Sequence, residues 1–475
     1  MPTGTDNPEI CKFNPEGKKL INIYKKTALS KIIVLLLTLS ILFSSLTSCG
    51  LFGYYAESKE ELSSNAAQSQ ENNGYSYVAD YLKEWGAPRF DGIKFRYIEQ
   101  IIQQLYNYGD GLPSSHTHAK DTVELFVESY YDLIDLSNKT AVTDALLTCY
   151  TTVIGDPYTI YRPPVETEEF NTDMSGKFGG IGVIVEYNHD DESIMVGTVY
   201  IDSPADKAGV KAGDYIYAID GKTVEELGYL NAVYYVRGEI GSEVELTLIR
   251  DGQYVTVTAV REEVEEINVA YELDEESKVG YVQIVQFKEN TYDQFVEAID
   301  YLEANGALGI VFDLRNNPGG YLTSVTSVIS YLIPNGNTVV SYQYKGQGTT
   351  VYTTKDDNKD GDHVVDLPFV VICNEYTASA GEIFTAALRD YNDQGLLSAT
   401  VVGTTTYAKG IMQNTYYYID QSSVTLTVAY YNPPSGVNYH GVGVTPDVIV
   451  ENTDSTVDLQ LEAALLEMQK LLNAN

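Results

Sequence analysis

The sequence predicts an α/β protein in which a helical N-terminal region and a glycine-turn β module precede a domain built on a partly parallel sheet. Three observations carry that expectation. Apolar residues recur at three and four positions between residues 91 and 150. From residue 178 to about 263 that period gives way to short β-branched runs separated by glycine turns. Beyond residue 279, apolar strands alternate with amphipathic helices, the pattern of strand–helix–strand units. A chain of 475 residues is long enough for roughly two to four domains.

At the N-terminal end, Lys18, Lys19, Lys25, Lys26 and Lys31 precede an uncharged run over residues 32–46 that is apolar apart from Thr38, Ser40, Ser44 and Ser45. A basic segment before an apolar run of this length is short for a membrane span and suits a secretory signal. The run ends in Leu46-Thr47-Ser48-Cys49-Gly50, which resembles the bacterial lipobox. That resemblance implies cleavage before Cys49 and lipidation of its thiol. The protein is then expected on the extracytoplasmic face of a bacterial membrane, held by its acyl chains. Residues 1–48 are expected as a lipoprotein signal peptide and 49–90 as a flexible tether, because residues 54–77 are rich in Ser, Asn, Gln and Glu without an apolar period.

Composition narrows the partners. Thirty Lys and Arg against 67 Asp and Glu leave a net charge of −37, spread along most of the chain. So acidic a surface repels nucleic acid, which is excluded as a partner by electrostatics. Anionic lipid headgroups are disfavoured for the same reason, leaving the lipid on Cys49 as the expected membrane attachment. A hydrophobic fraction of 44% with 20% charged residues excludes bulk disorder. Cys11, Cys49, Cys149 and Cys373 are far apart and form no CxxC pair, which excludes a disulfide framework and a cysteine zinc site. His116 and His118 are expected as a solvated pair in a polar loop, and no metal or organic cofactor is expected.

The folded elements follow in order. Ile98, Ile101, Ile102 and Leu105 share one helical face, as do Val123, Phe126, Val127 and Tyr130 beyond the break at 109–113. Gly155-Asp156-Pro157-Tyr158 closes this helical region, 91–165, with turn chemistry. Next, Phe178-Gly179-Gly180-Ile181-Gly182-Val183-Ile184-Val185 runs from a glycine turn into an apolar strand. It is followed by Ser203-Pro204-Ala205-Asp206-Lys207-Ala208-Gly209-Val210 and Ala218-Ile219-Asp220-Gly221. In this order the segments, over residues 166–263, resemble a PDZ domain. Successive glycines let backbone N–H groups converge on a terminal carboxylate, and the adjoining strand edge can add a peptide as an extra strand. Gly179, Gly180, Ile181 and Gly182 are the expected peptide-binding residues.

The domain over 264–455 carries strands at 279–285, 309–314 and 369–373, helices at 292–305, 322–332 and 381–390, and a closing amphipathic helix at 459–472 within the C-terminal segment 456–475. Asn374-Glu375-Tyr376-Thr377-Ala378-Ser379-Ala380-Gly381-Glu382-Ile383 leads from a strand into a helix. Ser379 is therefore expected at a sharp turn beside the unpaired N–H groups of the first helical turn. A serine nucleophile needs a base, and no histidine stands in a catalytic motif. Lys409, in Tyr407-Ala408-Lys409-Gly410-Ile411-Met412-Gln413, can serve if burial lowers its pKa.

Together with the PDZ-like module, these segments resemble the C-terminal processing peptidases, or tail-specific proteases, over roughly residues 91–450. The resemblance implies a crotonase-like α/β protease core with an inserted PDZ domain. It makes Ser379 the nucleophile, Lys409 the general base and Gln413 the residue orienting that base. Asp313-Leu314-Arg315-Asn316-Asn317-Pro318-Gly319-Gly320 matches the loop that supplies an oxyanion-hole amide, assigned to Gly319 in preference to Gly320, with Ala380 as the second donor. Asp156-Pro157-Tyr158 and Gly441-Val442-Gly443-Val444-Thr445-Pro446-Asp447 match family segments expected to be structural. The sequence departs from the pattern at Gly381, where serine is usual, and at Ala408, where glycine is usual. It also carries a few surplus residues over 392–400.

Two motifs are set aside. Residues 403–410 imitate a phosphate loop, but Ala408 stands where the second glycine belongs and Gly410 where a magnesium ligand belongs. Residues 356–361 fit half of a calcium loop whose twelfth position is Leu367 in place of glutamate, so a solvated hairpin turn is expected. The implied activity is a membrane-anchored, extracytoplasmic serine endopeptidase acting through an acyl-enzyme on protein or peptide substrates with free C-termini. The alternative is a non-catalytic lipoprotein scaffold whose PDZ groove binds protein tails. Acyl-thioester chemistry, suggested by the crotonase-like core, is disfavoured by the Ser379–Lys409–Gln413 set.

Overall fold

The computed structural model describes residues 74–188, 193–354, 364–453 and 457–474. Cys49, the signal segment, most of the expected tether and the 356–361 loop lie outside the described residues. The end of the tether is corrected. Gly74–Tyr81 is a helix continued by a 3-10 turn, Leu82–Trp85, and Val78 and Leu82 are buried in the main core. Two apolar residues four apart are a weak signal in a polar stretch. The helix start is secured from outside, because the Glu99 carboxylate accepts the Gly74 and Tyr75 N–H groups at 2.6 and 3.2 Å.

Helices Gly92–Leu105, Ser115–Ser129 and Lys139–Thr152 complete the N-terminal region. Asp91, Ser114 and Asn138 cap them by accepting N–H groups of the first turn. The histidine pair is also corrected: both lie on the second of these helices, and His118 is buried. Its Nε2 contacts Tyr150 O at 2.7 Å and its ring stacks on Tyr150 at 3.9 Å. His116 stays exposed beside the Tyr81 hydroxyl.

The glycine-turn module is an antiparallel six-stranded sheet with its own apolar core around Ile194, Val196, Val244, Leu246 and Leu248. A two-stranded ribbon, Lys177–Gly180 with Glu262–Glu265, joins it to the rest. Chain entry and exit are clamped to one segment of the larger domain. The Lys288 ammonium reaches Asp173 at 2.9 Å and Glu266 at 2.7 Å, and Asn290 Nδ2 donates to Gly176 O and Glu266 O.

The larger domain holds a six-stranded sheet in the order Val269–Leu273, Val279–Ile284, Gly309–Asp313, Phe369–Cys373, Ala399–Gly403, Val448–Ile449. The first pair is antiparallel and all later pairs are parallel. Its three central strands are buried along their whole length, as parallel strands covered on both faces must be. Phe295, Val325 and Phe384, from helices Thr291–Ala304, Leu322–Leu332 and Ala380–Asp393, pack on one face. Ala464, Leu465 and Met468 of helix Leu459–Ala474 pack on the other.

A second, antiparallel sheet was not expected. Ser423–Asn432 pairs with Ile160–Arg162, Ile411–Tyr417 and Thr338–Tyr344, which in turn pairs with Thr349–Thr353. Its strands are rich in Thr and Tyr, so their apolar alternation is faint although Ser423–Asn432 is almost wholly buried. Through this sheet the N-terminal helices and the larger domain share one continuous core.

Candidate active site

Gly309–Asp313, Phe369–Cys373 and Ala399–Gly403 are neighbouring parallel strands, so their C-terminal ends open at the same edge. The three loops that leave this edge carry the 313–320 motif, Ser379 and Lys409. Such an edge is where open α/β sheets gather reactive groups.

Ser379 precedes helix Ala380–Asp393 with φ +53° and ψ −114°, a strained conformation for a residue with a Cβ. The surrounding turn enforces it. Thr377 Oγ1 donates to Leu314 O at 2.7 Å, and the Ala378 N–H donates to Asn317 O at 2.8 Å. The Ser379 N–H donates to Glu382 Oε2 at 2.9 Å. Lys409, 4% exposed, follows Ala408, whose φ is +81°. That angle gives the physical reason glycine suits position 408.

Glu382 links the two turns. Besides the Ser379 N–H, its Oε2 accepts the Lys409 N–H at 2.8 Å. Its Oε1 accepts the Ala408 N–H at 2.7 Å and the Thr406 hydroxyl at 2.6 Å. Burial pushes the Glu382 carboxyl above its ordinary value, although these four donors pull the other way. Sequence reasoning missed this residue. Its available signal was the Ser-x-x-Glu spacing of a capping box, Ser379 to Glu382.

Lys409 Nζ lies 4.1 Å from the centre of the Tyr158 ring, so the Asp156-Pro157-Tyr158 turn belongs to the site. Gln413 is buried and donates through Nε2 to Thr427 Oγ1 at 3.2 Å. Its Oε1 has no hydrogen-bond partner, so the structure shows no hydrogen bond from Lys409 to it. The amides of the 313–320 loop differ in their engagement near Ser379. Gly319 abuts Ser379, since a Cβ there would stand 2.7 Å from Ser379 Cβ and 2.9 Å from Ala380 N. Its N–H, however, donates to Asn317 Oδ1 at 2.8 Å. Among the described residues, no protein group takes up the Gly320 or Ala380 N–H.

In the smaller module an apolar groove is lined by Gly180, Ile181, Gly182, Val183 and Val185 on one side and by Ala232 and Val236 of helix Tyr229–Val236 on the other. Ser379, Lys409 and Gln413 are not among the residues that line it. Gly179 is not among the residues lining this groove and makes a close backbone approach: its carbonyl accepts the Gly238 N–H at 2.9 Å, and a Cβ would land 2.0 Å from Gly238 O. No group of three or more His, Cys, Asp or Glu among the described residues could hold a metal ion.

Residues 278–450 match the model of peptidase family S41, and residues 179–260 match that of the PDZ domain. The carboxy-terminal processing protease CtpA of Bacillus subtilis (strain 168) is 33% identical over 301 residues, covering 63% of this chain and 62% of that protein. The chain thus matches less than two thirds of that relative's length. A CtpA-like serine protease of Staphylococcus aureus (strain MRSA252) is 30% identical over 402 residues, covering 83% of this chain and 78% of that protein. A crystal structure of an S41-type chain from Bacteroides fragilis NCTC 9343 shares the fold, with a TM-score of 0.51 at 17% identity over 79% of this chain and 97% of that one.

Proposed function

The chain belongs to peptidase family S41, and from that premise we propose that it is an extracytoplasmic serine endopeptidase that captures protein C-termini and cleaves by a Ser–Lys mechanism. The observation that carries the reading is the Glu382 clasp, which holds the turn of Ser379 and the turn of Lys409 against one buried carboxylate. A carboxylate so placed fixes nucleophile and base relative to each other before substrate arrives.

In this mechanism Ser379 Oγ attacks the scissile carbonyl carbon while Lys409 Nζ takes the hydroxyl proton. The oxyanion is met by the Ala380 N–H at the helix N-terminus and by a loop amide. Gly320 is unengaged for that role, whereas Gly319 must first leave Asn317 Oδ1. Such donors typically lower the barrier by about 3 kcal/mol each. Collapse of the intermediate expels the amine, which takes the proton from Lys409, and leaves an ester on Ser379. Water, deprotonated by Lys409, then hydrolyses the ester. Gln413 Oε1, a buried acceptor, is placed on the strand that the base turn enters and receives the lysine ammonium as it moves. The PDZ groove takes a free carboxylate with an apolar last side chain, and the lipid on Cys49 holds the enzyme at the membrane.

The test uses purified residues 50–475 and an unfolded protein with an apolar free C-terminus, beside the same substrate amidated. Cleavage is expected from the wild type, weakened by amidation and abolished by Ser379→Ala or Lys409→Ala. Comparable cleavage by either variant overturns the assignment. Tail binding without cleavage by the wild type favours the scaffold.

A further inference from the structure

A general base must be held at its nucleophile and must also keep the proton it takes until the leaving group collects it. Burial alone opposes the second requirement, because desolvation disfavours the ammonium. The aromatic face beneath Lys409 supplies what burial removes: a cation at 4.1 Å from a tyrosine ring centre lies well within the range of favourable ring–cation attraction.

That ring is braced. Asp156 Oδ1 accepts the Tyr158 N–H at 3.0 Å, and Oδ2 accepts the Thr159 hydroxyl at 2.7 Å. Thr159 Oγ1 accepts the Thr427 N–H at 3.4 Å, and Thr427 Oγ1 accepts Gln413 Nε2. The turn bearing Tyr158 is thereby laced to the strand beside the one that leaves the base turn. Asp156 and Thr159 are both buried.

We propose that Tyr158 is a positioning residue for the general base: its ring face fixes where the Lys409 amine sits and stabilises the protonated form during turnover. The inference rests on the Ser379–Lys409 reading above. The other titratable groups around the base turn are Glu382 at its N–H groups, His440, whose Nδ1 takes the Gly410 N–H, and Tyr431, whose hydroxyl donates to Lys409 O. Tyr407 bonds the Tyr158 hydroxyl and Asp156 stands behind the ring.

The test leaves Asp156, Glu382, His440 and Tyr431 in place, and every member of the series lacks the Tyr158 hydroxyl, so the loss of its contact with Tyr407 is common to all. Phenylalanine and its mono-, di- and trifluorinated forms are installed at position 158, preserving shape while draining charge from the ring face. The pH dependence of Ser379 acylation by an activated ester is then followed. The midpoint of the acid limb should fall stepwise with fluorination, by about half to one pH unit across the series. A constant midpoint overturns the proposal. Tyr158→Leu should lower the limiting acylation rate by about 10- to 100-fold relative to Tyr158→Phe, and equal rates would overturn the positioning role. Lys409→Ala separates the two layers. Acylation by that variant at the wild-type rate sinks the Ser–Lys reading itself, whereas a silent Lys409→Ala with a constant midpoint sinks only the role of Tyr158.

Discussion

Replacing Glu382 with glutamine keeps its shape and removes one acceptor oxygen. The carbonyl is best left at the Oε2 position, where it retains the Ser379 and Lys409 N–H groups. The new amide then faces Thr406 Oγ1 and the Ala408 N–H. The threonine hydroxyl can rotate to accept, since it already accepts only the Val444 N–H at 2.7 Å. The Ala408 N–H cannot, and a buried donor left against another donor costs about 1–3 kcal/mol. Losing charge assistance in the two retained bonds adds to this, and removing a buried charge offsets part of it. A net destabilisation of about 2–3 kcal/mol follows. The base turn must shift to relieve the clash, and a displacement of about 1 Å at a reacting group costs about 100-fold in rate. Urea unfolding and the rate of Ser379 acylation at neutral pH measure the two effects. The pH dependence adds a sign. Burial raises the folded-state pKa above the ordinary 4.5, so the folded state holds the proton longer than the unfolded chain does. Wild-type stability should fall as pH rises from about 4.5 through the raised value, and Glu382→Gln should lack that fall. Acylation by Glu382→Gln within threefold of wild type would refute the clasp as the element that positions nucleophile and base.

Two further predictions concern the backbone and the smaller module. Ala408→Gly relieves a positive φ at the cost of a more flexible unfolded chain, for a net gain of about 0.5–1 kcal/mol in thermal unfolding; a loss would mean the strain is absent. Asp214 is almost fully buried and, although burial acts to raise its carboxyl, the Arg250 guanidinium at 2.7 and 2.6 Å and the Lys211 N–H hold it below 3.8. Its contribution is therefore complete above pH 3.8 and lost as pH falls through the lowered value. Asp214→Asn should destabilise the smaller module by about 3 kcal/mol and remove that acid dependence, and an unchanged melting profile would contradict the pairing.

The legible part of the site was the part written in local turn chemistry. Ser379 and the 313–320 loop each sit where an apolar strand ends, and those ends can be read from the runs at 309–314 and 369–373; strand Ala399–Gly403, which leads to the Lys409 turn, was not expected. Glu382 was hidden because a glutamate three residues into a helix is ordinary, and its partners Thr406, Ala408 and Lys409 are far along the chain. Tyr158 was hidden for a related reason: its neighbour Lys409 is brought to it only when Ile160–Arg162 pairs with Ser423–Asn432. The faint Thr- and Tyr-rich strands of that sheet are what join the N-terminal helices to the reactive edge.

By itself the sequence determined the parallel sheet and the inserted glycine-turn module and placed Ser379 and Lys409 in turns, because period, turn residues and strand ends are local properties of the chain; their proposed roles came from the family resemblance. Only the tertiary structure decided which amides are free near Ser379, what acceptor Gly319 already has, which carboxylate ties the two turns and which ring lies under the lysine. These are distances between groups remote in sequence, and burial and hydrogen bonding assign them only once both sheets have closed around the same core.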